Sequence, residues 1–531
     1  TSLIPEIYTA FTDGTRKSKI IRIPGDPHST EMWHNGLTIG DRSLLFRGPS
    51  HQPASINTFA PLMAGAFTGQ CRVTIEHPGL IERLRNEKYD VVIGENWDYC
   101  GHGIFHLIKA KSFISVSSSG IFDYQAYEIG MPITPSVIPS NFGDAMTFDG
   151  SIMERIRNIY TLYYAFDLLL TVEAAMDNMF QEVYGPGFPS MREITFQSAF
   201  VFTNSDPFMD FARPTLRKVV DLGGIGVRPP KKLDEKWTGL LSLRPRTVLI
   251  SFGSVARASL MPDGHKSGIV KALSQFPDVT FIWKYEQENA TIADGVPNIV
   301  LSTWMPQSDL LADPRVVGMI THAGKGSVSE ITERGVPAMF VPLFGDQTRN
   351  GGAAAHFGFG FVYEKDDLSN SDTLTAAIHD LLDNPRYREE AKRAKQILAR
   401  RPFSPQELLV KHVRFAAEVG PVKALEPMGS DYSVFVYFNI DIILLFLLSL
   451  IVVTGIALWA CKQAKNAMDT TELIWGIHDY QIAGATIFVA IELDRLPVQH
   501  TRYLEYQKGV ESLEFLRHAY AVTASYTSET V

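Results

Sequence analysis

Short apolar runs rich in β-branched residues alternate with longer helical patterns along most of this 531-residue chain. Continuous apolar runs are typical of strands buried on both faces, so the alternation predicts parallel sheets covered by helices on both sides. We therefore expect an α/β protein with two doubly wound domains. The predicted strands are 19–24, 89–93, 113–117, 199–203 and 219–222 in the first half and 247–252, 280–283, 298–301, 316–321 and 338–341 in the second, with helices near 78–87, 152–164 and 174–184.

A passage rich in Pro and Lys, from Val227 to Leu233, interrupts this alternation. Such a break is typical of an interdomain linker. It predicts an N-terminal domain over 1–227, a linker over 228–246 and a C-terminal domain with return helices over 247–433. Doubly wound domains bind ligands at the carboxyl ends of their strands, so we expect the functional residues in a cleft between the domains.

A long apolar run from Ile442 to Cys461 follows these domains and contains no charged residue. About twenty helical residues span about 30 Å, so the run predicts a transmembrane helix within 434–461 rather than a buried core helix. Lysines follow it and an acid precedes it, which by the positive-inside rule places the tail 462–531 in the cytosol and the body outside it. We have no functional interpretation of the tail. Its apolar run Ile482–Ile491 is too short to cross a bilayer.

The start of the chain does not match this topology. A body outside the cytosol needs a leader peptide, yet the chain opens at Thr1 without a positively charged and then apolar segment. We therefore expect an incomplete or processed N-terminus. The glycosylation sequon that begins at Asn289 fits a body outside the cytosol.

Composition restricts the other partners. Basic residues are scattered and the net charge is −9, so a nucleic-acid partner is not expected. Cys and His do not occur at metal-ligand spacings, so no metal site is expected. Cys71 and Cys100 could pair or stay free, and we favour free thiols because isolated cysteines usually serve as small buried apolar groups.

The most informative motif is a strand that runs into a glycine-containing turn and then a helix, 316–334. Free backbone N–H groups and the helix dipole make such a turn a site for anions, and Gly324 lets a phosphate approach the main chain. His322 and Ser327 add side-chain donors. Two alternatives remain at this point: Ser327 and Glu330 also fit a capping box, and His322 could be structural.

Trp304 and Gln307 lie in a turn just before this motif. The flat indole of a Trp stacks well on a planar base, so Trp304 is a candidate base platform. Gln307 and Glu330 are candidates to bind ribose hydroxyls, since an acid often binds a ribose diol.

Two further loops follow strands of the same predicted sheet. Asp346 and Gln347 come after the strand 338–341, and an acid with an amide suits several hydroxyls of a hexose, although a solvated loop has the same pattern. Ser254 lies in a second Gly-Ser turn, which could contact a diphosphate.

The chain resembles the family-1 UDP-glycosyltransferases, the UDP-glucuronosyltransferase-like enzymes, at many positions over roughly fifty residues: Trp304, Pro306, Gln307, His322, Gly324, Ser327, Glu330, Pro337, Pro342, Asp346 and Gln347. The resemblance implies the GT-B fold, two Rossmann-like domains facing a cleft, plus one C-terminal transmembrane helix. It implies uracil stacking by Trp304, ribose binding by Gln307 and Glu330, diphosphate binding by His322, Gly324, Ser327 and Ser254, and sugar binding by Asp346 and Gln347.

Two positions depart from the family pattern. Gly326 stands where animal glucuronosyltransferases usually have Asn, which removes one side-chain donor near the phosphate. Thr203, before Asn204, stands where several members have an Arg linked to the glucuronate carboxylate. Glucose is therefore at least as good a candidate for the donor sugar as glucuronate.

Inverting sugar transfer needs a general base and stabilisation of the departing diphosphate. The family resemblance implies a histidine base oriented by an acid, and Glu95 stands in the position of that acid, so it is the candidate catalytic residue. The base itself is expected upstream of Thr1. His28 and His34 come too late in the chain, while His102 and His106 are expected to be packing or surface residues.

The sequence thus predicts a membrane-anchored glycosyltransferase of the endoplasmic reticulum that uses a UDP-sugar, a small lipophilic acceptor and no cofactor. The resemblance implies that the N-terminal domain receives the acceptor, and the aromatic loop of Phe122, Tyr124 and Tyr127 either lines its pocket or belongs to the core. The alternative is a non-catalytic UDP-sugar-binding protein or partner subunit, and homo- or hetero-oligomers remain open. A Rossmann dehydrogenase is disfavoured, because Leu222–Gly226 matches its glycine motif only in part.

Overall fold

The computed structural model describes residues 1–6, 17–34, 38–39, 42–46, 53–143, 150–428 and 433–475. The chain divides into two units, Thr1–Ser430 and Asp431–Val531. The first unit contains all of the parallel sheets within the described ranges.

The N-terminal part contains three sheets in the ranges described. Strands β1 and β2 form a parallel pair, β3 and β4 an antiparallel pair, and β5 to β8 a parallel sheet in sequential order. The bounds of these strands are β1 Ser2–Pro5, β2 Ile20–Ile23, β3 Thr38–Ile39, β4 Arg42–Ser43, β5 Val91–Glu95, β6 Ser112–Ser117, β7 Phe200–Thr203 and β8 Val219–Asp221.

The C-terminal part contains one parallel sheet in the order β11-β10-β9-β12-β13-β14. Its strands are β9 Arg246–Ser251, β10 Val279–Lys284, β11 Ile299–Ser302, β12 Val316–Thr321, β13 Ala338–Phe340 and β14 Gly360–Val362. Successive residues of β9, Val248, Leu249 and Ile250, are buried alternately in the cores on the two faces, as a doubly wound sheet requires.

Helices cover both sheets. The bounds are α1 Pro27–His34, α2 Pro53–Ile75, α3 Leu80–Asn86, α4 Cys100–Ile108, α5 Asp123–Glu128, α6 Ile152–Tyr184, α7 Met191–Phe196, α8 Glu235–Leu241, α9 Asp263–Leu273, α10 Gln307–Leu310, α11 Lys325–Arg334, α12 Gln347–His356, α13 Ser371–Asp383, α14 Pro385–Ala399, α15 Pro405–Glu418, α16 Val434–Tyr437 and α17 Ile440–Trp475, with 3₁₀ turns at Leu44–Phe46, Ala258–Leu260, Lys365–Ser369 and Lys423–Leu425.

The two α/β parts with parallel sheets confirm the predicted fold class. Helix α15 returns to the N-terminal sheet, where Ala416 is buried against Phe200 and Phe202. Helix α8 falls inside the predicted linker, yet it buries Trp237 and Leu241 in the core of the C-terminal sheet. The boundaries 1–227, 228–246 and 247–433 remain our proposal for the domains.

The structure corrects two predictions about the N-terminal part and decides between the two alternatives for two residues of its aromatic loop. Cys71 and Cys100, which we favoured as free thiols, form a disulfide that ties α2 to α4. The helices predicted over 152–164 and 174–184 are one helix, α6, because no Gly or Pro interrupts the sequence between them. Phe122 and Tyr124 are buried in a hydrophobic cluster and belong to the core, whereas Tyr127 is exposed.

The second unit contains α16 and α17. A window of α17, Ile440–Asn466, is apolar and long enough to cross a membrane, and its large side chains are exposed. The helix continues past the predicted end at 461 to Trp475, because no Gly or Pro stops it. Helix α6 also passes the test of length and composition, but it buries Leu169, Met176 and Phe180 in the N-terminal cores. Residues 476–531, with the apolar run at 482–491, lie outside the described residues.

Candidate functional site

His322 lies directly after β12, in the centre of the predicted anion site. Its imidazole is enclosed by Gly253 and Gly324, since a Cβ added at either glycine would overlap the ring. Gly253 also has a φ of +88°, which favours glycine. Burial and the charge of Lys284 lower the pKa of His322 to about 4, so the ring is neutral at neutral pH and has one N–H to donate.

Helix α11 begins at Lys325, and Gly324 is its N-cap. No side chain caps this terminus, so the capping-box interpretation of Ser327 and Glu330 is wrong. Both side chains instead contact Gln307, whose Nε2 donates to Ser327 Oγ at 3.1 Å and to Glu330 Oε2 at 2.7 Å. The first turn of α11 is therefore left open to an anion.

Trp304 lies beside this cluster in the turn between β11 and α10. Its side chain is 64% exposed, although most large aromatic residues of this unit are buried. The turn is fixed by the Ser302 hydroxyl, which donates to the Trp304 carbonyl at 2.6 Å. Ser254, in the turn after β9, is also exposed. An indole held in place and left uncovered is available for stacking on a planar ligand.

Asp346 and Gln347 lie at the start of α12. The carboxylate of Asp346 accepts a hydrogen bond from Asn350 Nδ2 at 2.7 Å and another from the hydroxyl of Ser119, in the loop after β6. Gln347 is buried, and its carbonyl oxygen accepts from the backbone N–H of Leu343 at 2.8 Å. The contact between Ser119 and Asp346 brings the carboxyl ends of the two sheets together.

Glu95 ends β5 on the N-terminal side of this cleft. The backbone N–H of Ser118 donates to its carboxylate at 3.1 Å, and burial raises the pKa of Glu95 to about 7. Among the described residues, no histidine is hydrogen-bonded to Glu95. A cavity of about 830 Å³ borders Glu95, lies between β1 and β5, and reaches Val255 next to Ser254.

No hydrogen bond in the described part of the chain joins Glu95 to the candidate histidines of the N-terminal part. His28 is exposed on α1, and the side chain of His34 lies outside the described residues. His102 is fully buried against Phe113, and His106 packs on Phe188.

Four charged residues near the site were not predicted: Asp210, Lys284, Lys325 and Arg349. Lys284 ends β10 and its ammonium donates to the Gly253 carbonyl beneath His322. Asp210 lies 2.8 Å from Arg349 and 4.0 Å from Lys325. Lys284 could have been found as a charge at a carboxyl strand end, whereas the others are single charges in loops or helices. Within the ranges described, no three His, Cys, Asp or Glu side chains are placed to hold a metal ion.

Comparison with known proteins gives a family match and several relatives. The family model for UDP-glucoronosyl and UDP-glucosyl transferase matches residues 49–471. The putative UDP-glucuronosyltransferase ugt-48 of Caenorhabditis elegans is 30% identical over 424 residues, 77% of this chain and 78% of the relative. The human UDP-glucuronosyltransferase 3A2 is 28% identical over 419 residues, 76% and 77% of the two chains. The crystal structure of the glycosyltransferase VinC in complex with dTDP covers 75% of this chain, with a TM-score of 0.49 and 16% identity.

The family match covers most of the chain, including both parallel sheets and the first part of α17. This protein therefore belongs to the UDP-glucoronosyl and UDP-glucosyl transferase family and is a UDP-glycosyltransferase of the GT-B fold.

Proposed function

We propose that this enzyme transfers a hexose, glucose or glucuronate, from a UDP-sugar to a small lipophilic acceptor, with inversion and without a metal ion. The observation that carries the proposal is the cluster at α11. There Gln307 contacts both Ser327 and Glu330. The exposed Trp304 precedes Gln307 in the sequence, and the partly buried His322 lies between Gln307 and Ser327. A base platform, ribose acceptors and an open helix terminus together suit a nucleoside diphosphate.

The donor would be bound along the C-terminal edge of the cleft. We assign each group of the donor to residues whose chemistry suits it. Uracil is assigned to Trp304, ribose to Gln307 and Glu330, the diphosphate to His322, Gly324, Ser327 and Ser254, and the hexose hydroxyls to Asp346 and Gln347. Support for the ribose assignment comes from the hydrogen bond between Gln307 and Glu330, which places an amide and an acid next to each other.

In the transfer step, the acceptor oxygen attacks the anomeric carbon while the bond from that carbon to the UDP oxygen breaks. The acceptor proton passes to a general base, and the electron pair leaves with UDP. The first turn of α11 and the neutral His322 would donate hydrogen bonds to the departing diphosphate, and Lys284 would add a nearby positive charge. Glu95 would orient the base and stabilise its protonated form.

The acceptor would occupy the part of the 830 Å³ cavity where Glu95 and Val255 meet. Its lining includes Leu3, Phe67 and Ile104, so the surface is suited to an apolar molecule. An acceptor bound there would contact apolar side chains, with the carboxyl group of Glu95 beside it and Ser254, one of the proposed diphosphate residues, close by.

We also propose a single-pass protein of the endoplasmic reticulum membrane with a lumenal body and a cytosolic tail. The disulfide between Cys71 and Cys100 supports an oxidising compartment for the N-terminal domain. Asn289 of the glycosylation sequon is exposed, and α17 is apolar enough to cross a bilayer.

The test is a transfer assay in microsomes that express the protein, with UDP-glucose and UDP-glucuronate as donors and a panel of phenols as acceptors. We expect a β-linked product from the α-linked donor, at a rate that a chelator does not change. The Asp346→Asn variant should lose transfer, while Asp278→Asn, an exposed acid of the same domain, should not. An α-linked product would contradict inversion, and loss of activity with the chelator would contradict metal independence.

A further inference from the structure

Asp210 is a buried acid of the N-terminal domain, in the loop between β7 and β8. Its carboxylate accepts a hydrogen bond from the Ser205 hydroxyl at 2.6 Å. Burial alone would raise the pKa of Asp210, but the charges of Arg349 and Lys325 outweigh burial and hold the pKa well below its ordinary value. Asp210 is therefore an ionised acid in the interior.

Both of its positive partners come from the C-terminal domain. Arg349, in the first turn of α12, is 3% exposed, and its Nη2 lies 2.8 Å from Asp210 Oδ1. Lys325, the first residue of α11, has its Nζ 4.0 Å from Asp210 Oδ2. One carboxylate thus contacts the first turns of α11 and α12, the two helices that begin at the proposed diphosphate and sugar sites.

The contact borders a cavity of about 230 Å³, whose lining includes Ser205, Asp210 and Arg349. The guanidinium of Arg349 also lies over the ring of Phe211, 5.3 Å from its centre. A Cβ added at Gly120 would lie 2.8 Å from the Ser205 hydroxyl, so glycine is needed for the loop after β6 to fit. The neighbouring hydrogen bond from Ser119 to Asp346 joins the loop after β6 to the start of α12.

We propose that Asp210 is a positioning residue that holds α11 and α12 against the N-terminal domain in the closed arrangement. This inference rests on the proposed function, because it takes the first turns of those helices to carry the donor. The ion pair joins residues of both domains, so it forms only where the domains meet as they do here, and a buried charge without its partner is strongly unfavourable. The pair therefore favours closure without touching UDP itself, and it would keep the sugar pointed at the acceptor.

The test is hydrogen exchange of the Asp210→Asn variant, saturated with UDP, together with the UDP dissociation constant from calorimetry. We expect amides at 117–120 and 205–213 and those at 325–328 and 346–350 to exchange faster by on the order of tenfold, on both sides of the interface. The UDP dissociation constant should stay within about threefold, because the nucleotide-binding side chains are unchanged. Asp278→Asn, which removes an exposed ion pair with Arg246 within the C-terminal domain, is the matched control and should change neither.

The double variant Asp210→Asn with Arg349→Gln separates positioning from misfolding. It removes the unpaired arginine but does not restore the ion pair, so we expect the amides on both sides to exchange more slowly than in Asp210→Asn and still faster than in the wild type. Faster exchange on one side only, a loss of UDP affinity as large as the change in exchange, or exchange equal to that of the wild type in the double variant would overturn the proposal. Failure of the wild-type chain to bind UDP would instead contradict the proposed function. Hydrogen exchange of the Asp210→Asn variant and the wild type, both without UDP, would then decide whether Asp210 holds the two domains together.

Discussion

The region around α4 and the region around α11 each contain a histidine whose pKa is lowered by burial, but the surroundings of the two rings differ. His102 on α4 packs against Tyr99 and Phe113, and neither of its ring nitrogens has a hydrogen-bond partner among the described residues. Burial lowers its pKa to about 3. His322 before α11 is instead enclosed by glycines and lies beside Lys284 and the start of a helix.

The difference shows that burial alone does not make a functional histidine. The ring of His102 is surrounded by aromatic side chains, so it contributes packing and makes the fold sensitive to acid. The ring of His322 lies where backbone N–H groups and a positive charge converge, so it can take part in binding an anion. The α4 region should therefore govern stability, and the α11 region should govern affinity for the donor.

The largest expected effect comes from the disulfide that ties α4 to α2. The cysteines are 29 residues apart, and removing a cross-link of that loop length costs about 3.5 kcal/mol of stability in the chain-entropy account. We expect the double variant Cys71→Ala with Cys100→Ala to lose that much protection in hydrogen exchange at β5 and β6. The free Cys461 changed to Ala is the control and should leave these amides unaffected. Equal losses of protection in the N-terminal and C-terminal sheets would contradict this prediction, because the effect of the disulfide would then not be confined to the α4 region.

The second effect is the acid sensitivity of His102. The pKa of the folded state lies below the ordinary value of 6.5, so this residue's contribution to stability is complete above pH 6.5 and is lost as the pH falls towards 3. Between pH 6.5 and pH 5 the loss is roughly 2 kcal/mol. We expect the His102→Leu variant to lose less stability than the wild type over that interval, as measured by urea unfolding at each pH. Parallel pH profiles would mean that His102 is not the buried neutral ring described above.

The smallest effect concerns Trp304 in the α11 region. Its indole is largely exposed, so the Trp304→Ala variant should keep the stability of the wild type. Loss of base stacking should weaken UDP binding by about 1 kcal/mol, roughly fivefold. Calorimetry with UDP and with inorganic diphosphate checks this, because the diphosphate has no base and should bind both proteins equally. A drop in affinity for both ligands would move Trp304 out of the base site.

The parallel strands could be predicted because strands buried on both faces leave apolar runs that are visible in the sequence. The contact of Gln307 with Glu330 could be expected as well, since both residues fall within one segment after strands of the same sheet, while their role in donor binding stays a prediction. The disulfide could not, because the end of α2, helix α3 and strand β5 separate Cys71 from Cys100, and their spacing has no local signature. Whether Ser327 and Glu330 formed a capping box also depended on the exact start of α11, which sequence patterns do not determine.

The ion pair between Asp210 and Arg349 shows a second limit. Each residue is a single charge in a polar segment, and such charges usually lie in solvent. Only the approach of two domains buries them together. A sequence pattern describes one element at a time, so contacts that depend on how domains meet are not contained in it.

The central claim is that the turn before α11 holds the donor diphosphate. Calorimetric titration of UDP into the His322→Ala variant tests it most directly, with His379→Ala, an exposed histidine on α13, as the matched control. Loss of one hydrogen bond to a charged group is worth about 1.5–3 kcal/mol, so we expect UDP affinity to fall by roughly tenfold or more in His322→Ala only. Unchanged affinity for UDP in a folded His322→Ala variant would contradict the assignment of this turn to the diphosphate.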